Sequence, residues 1–138
     1  MFSKQNLIST LVTFIWAFMG GYLLWGILMD STIMAHLGSA TGVPKPEPDF
    51  LYLAIGCLIV AFAFSTIYSK LAAEHSLSKG LKFGIWVGVL QGFGNGVIDF
   101  ATANILDLTG TIVNGLTYVV FFAIMGALAG LIYDKVKA

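Results

Sequence analysis

Asp99 is the one carboxylate set well inside an apolar run of this chain, and Asn95 and Gln91 precede it one and two helical turns away. At about 100° per residue the three share one sector of a helix. A carboxylate backed by two amides is a setting for proton or small-cation chemistry. It is also expensive, since an ionised side chain in hydrocarbon costs several kcal/mol or more unless it faces protein, water or a partner. If six residues follow it in the helix, Asp99 lies roughly 9 Å below the helix end, at about 1.5 Å rise per residue. At that depth the next apolar run offers Asn114 and Thr117, and His36 and Asp30 could fold over from an earlier connection.

Two readings of this polar group stay open. In the first, Asp99, Asn95 and Gln91 line a path entered from outside, coupled to protons or a small cation. In the second they form an interhelical hydrogen-bond network, with Asp99 protonated or bonded to Asn114, each such bond worth about 0.6 kcal/mol. The second is favoured because the polar stripe stops at Gln91 and nothing polar carries it further.

Other chemistry is poorly represented. His36 with Asp30, Glu47 and Asp49 matches no ligand spacing for a metal. The other histidine, His75, is expected in solvent. No GxSxG elbow is present, and the glycine-rich stretch lacks the Lys-Ser/Thr ending of a phosphate loop. The single Cys57 lies in an apolar run and reads as a packing residue. Seven lysines balance seven acidic residues and there is no arginine, so nucleic acid is excluded as a partner. The aromatic residues read as lipid-facing anchors. No enzyme activity and no cofactor are expected.

The elements that position these residues follow from composition. The 138 residues are 58% hydrophobic and 10% charged, against roughly 25% charged in soluble domains. About 20 apolar residues cross a bilayer, and four such runs fit, at about 7–29, 50–69, 82–104 and 111–133. The expectation is an all-α, polytopic membrane protein: one transmembrane domain over 1–138, built as a four-transmembrane-helix bundle. The long connection 30–49 should start as a short helix and then be broken by the PKPEP run, whose prolines favour an extended strap. Asp49 and Ser76 or Ser78 are placed to cap the helices that follow. Lys4, Lys70, Lys79, Lys82, Lys135 and Lys137 flank one side of the spans and Lys45 the other, which predicts both termini in the cytoplasm.

Gly80, Gly84, Gly88, Gly92 and Gly96 recur every four residues in the third span, and Gly126 and Gly130 form a small-xxx-small pair in the fourth. In water each would cost about 1 kcal/mol relative to alanine. In a membrane such a glycine zipper lets helix backbones approach closely, within one chain or between copies. Packing inside the chain is the preferred expectation.

The runs GLKFGIWVG in the third span and GALAGLIY in the fourth resemble those of small bacterial four-helix membrane proteins known only as domains of unknown function. The resemblance implies four spans in a bacterial inner (cytoplasmic) membrane and carries over no catalytic residue. The expected role is that of a structural or accessory subunit in the lipid bilayer, forming a homo-oligomer or joining a larger membrane complex.

Overall fold

The computed structural model describes residues 1–137, and they form five helices. Helix α1 runs Lys4–Leu28, α2 Asp30–Ala35, α3 Phe50–Leu71, α4 residues 77–102 and α5 Leu108–Lys135. Three of them, α1, α3 and α5, are long and apolar enough to cross a membrane. Among the described residues there is no strand, only an isolated antiparallel bridge between Leu37 and Leu106.

The caps explain the boundaries. Ser3 accepts from Asn6 N at 3.1 Å, so α1 opens at Lys4 rather than at Leu7. Asp49 accepts from Tyr52 N at 3.2 Å and Ser76 from Lys79 N at 3.2 Å, the two caps expected from sequence. The Ser76 cap starts α4 at Leu77, before the expected 82, and the helix ends at Thr102 instead of 104.

Helix α5 is the centre of the molecule, with buried positions from Gly110 to Tyr133. Against it α4 runs antiparallel, and the glycines make the seam. A Cβ on Gly80 would meet Gly126 O and the Gly130 backbone, one on Gly84 would meet Phe122 O, and one on Gly88 would meet the Val119 backbone. Gly92 sits against Gly115 and Tyr118. Gly96 is different: its nearest neighbour would be Thr111 Cγ2 at 3.8 Å, an ordinary contact.

Helix α1 packs on α5 and α3 through small and polar residues, Ser9, Thr10, Thr13 and Ala17, and through two indoles. Trp16 Nε1 donates to Phe121 O at 2.9 Å and Trp25 Nε1 to Asn114 Oδ1 at 2.8 Å. Two stretches of α1, Trp16–Gly20 and Tyr22–Leu28, are wound in wider π turns. Gly20 leaves room there for the Trp16 ring and Gly26 for that of Tyr22. Trp86, Tyr22 and Tyr52 are exposed, as expected of lipid-facing anchors. Trp16, Trp25, Phe64, Tyr68, Phe121, Phe122 and Tyr133 are not, because they stack on one another to form the core.

The packing is uneven along the helices. Helix α3 is buried only at Ala61, Phe64, Ser65 and Tyr68, while residues 50–60 are exposed except for half-buried Ala54 and Cys57. Helices α1 and α3 are therefore buried mainly toward the end that carries both chain termini.

Candidate functional site

A π turn in α4 decides where the polar residues go. The stretch Val89–Gly94 closes i→i+5 rather than i→i+4, which adds a residue to the turn and turns everything beyond it back by about 100°. Glycines spaced by four drift round an uninterrupted α-helix. The wide turn cancels that drift, keeping Gly92 and Gly96 on the α5 side. The same rotation carries Gln91 and Asn95 off that side. Both are exposed, and Asn95 Nδ2 donates to Gln91 Oε1 at 2.9 Å. A uniform 100° per residue, as the sequence pattern predicts, would put these glycines and the two amides in one sector; the wide turn separates them.

Asp99, one α-helical turn beyond Asn95, is exposed as well. With Gly96, Phe100, Ile105, Leu106, Thr111 and Asn114 it lines a cavity of about 100 Å³ at the far end of the bundle, large enough for a few water molecules. Because α4 ends at Thr102, Asp99 is only about 4.5 Å below the helix end, half the depth expected. Asn114 shares the cavity as expected, with its carbonyl oxygen already taken by the Trp25 indole. Thr117 does not join: it is buried and its hydroxyl donates to Val113 O of its own helix at 2.8 Å. Beneath the cavity Gly92 is closed against Gly115 and Tyr118.

His36 does not fold over Asp99. Its Nδ1 lies 3.0 Å from Asp107 Oδ2, and Asp30 is exposed. Asp107 also caps α5, accepting from Gly110 N at 2.7 Å. Around this pair the long connection is strapped to the short one by three backbone bonds: Gly38 N to Ile105 O at 2.8 Å, Ala40 N to Asn104 O at 2.8 Å, and Asp107 N to His36 O at 2.9 Å. No group of three or more His, Cys, Asp or Glu able to hold a metal occurs among the described residues.

The Gly110 N–H, and after it the His36 ring, hold the Asp107 carboxyl below the usual carboxylate range. The folded protein binds that proton less readily than the unfolded chain. Its stabilisation is therefore complete above the ordinary carboxylate pKa and is lost as pH falls through the lowered folded value. Acidification through that window, or His36→Ala at neutral pH, is expected to lower amide-exchange protection at Gly38 and Ala40 by roughly fivefold, the loss of one modest hydrogen bond. Unchanged protection in His36→Ala would mean that the backbone bonds hold the strap without the pair.

A polar network not anticipated from the sequence lies at the termini end. Asn6 is 1% exposed, and its Oδ1 accepts from Ser65 Oγ at 2.6 Å and Tyr133 OH at 2.8 Å. Its Nδ2 donates to Thr66 Oγ1 at 3.0 Å. Gln5 Nε2 donates to Val136 O at 2.7 Å, tying the two ends of the chain together. His75 is not in solvent: its ring stacks on Tyr133 with centroids 4.9 Å apart and meets Tyr68 edge-on at 5.2 Å. The available signal was the spacing of Asn6, Ser9, Thr10 and Thr13, a helical i, i+3, i+4, i+7 stripe, hidden because Asn6 falls just outside the expected span.

Comparison with protein-family models, with curated proteins and with solved structures returns no match.

Proposed function

We propose that this chain is a non-enzymatic polytopic membrane protein, a structural or accessory subunit that associates with itself or joins a larger complex in a bacterial inner membrane. The observation that carries the reading is that Gln91 and Asn95 are exposed and are not among the residues that line the Asp99 cavity. A transport path needs polar groups in line through the bundle. An association surface needs them outside it.

A four-span topology with both termini cytoplasmic is part of this reading. Helix α4 lies along α5 from Gly80 beside Gly130 to Gly96 beside Thr111, so it crosses whatever slab α5 crosses. The lysine bias supports the orientation. Reporter fusions in the loop near Gly42 and after His75 test it, with periplasmic activity expected at the first and cytoplasmic activity at the second.

Cation-linked transport through Asp99 is the second reading, favoured by the cavity that Asp99 shares with Asn114. The two separate on one substitution. In proteoliposomes Asp99→Asn is expected to leave assembly intact and ion permeability at the background of the unmodified protein. A pH- or cation-dependent flux that this variant abolishes would overturn the accessory reading.

A further inference from the structure

We infer that the outer half of α4 is a homodimer interface, in which Gln91 and Asn95 of one copy hydrogen-bond to Asn95 and Gln91 of a second copy in the same membrane. The inference rests on the membrane reading given above and names the partner that reading left open.

The depth of the amides comes first. Counting back from Thr102, Asn95 lies about 10 Å and Gln91 about 16 Å below the helix end, within a hydrocarbon core about 30 Å thick. Both are exposed on the monomer. Their mutual bond takes one N–H of Asn95 and one lone pair of Gln91. Two N–H groups on Gln91, and a carbonyl oxygen and one N–H on Asn95, are left over. Facing lipid they would find no partner, and an unsatisfied polar group there is costly.

The leftovers are also mutually complementary. Donors remain at Gln91 and an acceptor at Asn95, one turn apart. A two-fold axis along the membrane normal, the only two-fold that keeps both copies in the same orientation, sets these residues opposite themselves at equal depth. Gln91 Nε2 of each copy can then donate to Asn95 Oδ1 of the other, and the pairing closes isologously. The surrounding face suits a second helix. Gln91, Gly94, Asn95 and Ile98 lie within about two turns of the helix, and all four are exposed. A Cβ on Gly94 would meet only Val89 O, at 3.8 Å, so this glycine leaves the backbone open to close approach. The glycine ladder cannot serve instead, because α5 of the same chain covers it.

The test uses the full chain in lipid vesicles with its one native cysteine replaced, Cys57→Ser. Oxidation of a Gly94→Cys variant is expected to give covalent dimer in high yield, since a disulfide needs Cα atoms within about 7 Å. An Ile59→Cys control, exposed on α3, should stay monomeric. Gln91→Leu with Asn95→Leu, both tolerable against lipid, should lower the dimerisation constant measured by energy transfer by roughly tenfold, as expected for two membrane hydrogen bonds. If energy transfer reports oligomers but Gly94→Cys does not cross-link, or only Ile59→Cys does, this interface is wrong and self-association by another face stands. A chain that stays monomeric at every protein-to-lipid ratio overturns both the interface and self-association. Dimers unaffected by the double leucine variant overturn recognition through the amides.

Discussion

Gly84→Leu is expected to abolish assembly of the chain, and Gly84→Ala to destabilise it by about 1–3 kcal/mol. The reason is what a side chain would meet. At Gly84 a Cβ falls on Phe122 O and the Phe122 and Ala123 backbone of α5. A flexible side chain could swing away, but a helix backbone can move only by separating the two helices along the whole seam. Gly126 lies across from Gly80 and Gly84 in the same way, so Gly126→Leu should behave alike. Gly96 supplies the control from within the same sequence ladder. Its nearest contact is a threonine methyl at ordinary distance, and Gly96→Ala should be close to neutral. Gly56→Ala, with nothing nearby, should be neutral or gain up to about 1 kcal/mol of helix propensity. Denaturing-detergent titration in mixed micelles, followed by tryptophan fluorescence and circular dichroism, ranks the five variants. If Gly84→Ala and Gly96→Ala unfold at the same detergent fraction, the seam is not what holds α4 to α5.

The ladder was legible because small residues at a fixed spacing are a sequence signal for close backbones, whatever the exact twist between them. The all-helical character, the Asp49 and Ser76 caps and the short helix after Asp30 were legible for similar local reasons. The rotation of Gln91 and Asn95 was not, because a single π turn changes the phase of every residue after it, and no residue type in Val89–Gly94 announces one. Asp99 and Asn114 line one cavity because both lie near the end where α4 and α5 are joined by a short link. Asn6 was missed for a different reason. Its partners are Ser65 and Tyr133, far away in the chain, and a buried amide that satisfies itself through tertiary contacts has no local pattern of its own.

Asn6 and Asn95 are the same side chain on two helices of one chain, and their replacement by leucine is expected to have different consequences for its fold. Asn6 is enclosed, and removing it strips the acceptor from the Ser65 and Tyr133 hydroxyls and the donor from Thr66. Ser65 Oγ and Tyr133 OH, already 3.4 Å apart, can recover one bond between them. The remaining unmade bonds cost about 1–3 kcal/mol, and leucine must also fit a space shaped for a planar amide. Asn6→Leu should therefore destabilise the bundle by roughly 2–4 kcal/mol, with the loss felt first where Gln5 and Val136 join the chain ends. Asn6→Asp keeps the shape but loses the N–H that Asn6 Nδ2 donates to Met1 O, a carbonyl that cannot donate in return, and it should recover little. Asn95 has only Gln91 as partner and faces out of the monomer, so Asn95→Leu should leave monomer stability within about 0.5 kcal/mol while weakening association. The same detergent titration measures the first effect, and energy transfer in vesicles the second. Equal destabilisation by the two substitutions would place Asn95 inside the fold and remove the basis for an interface on α4.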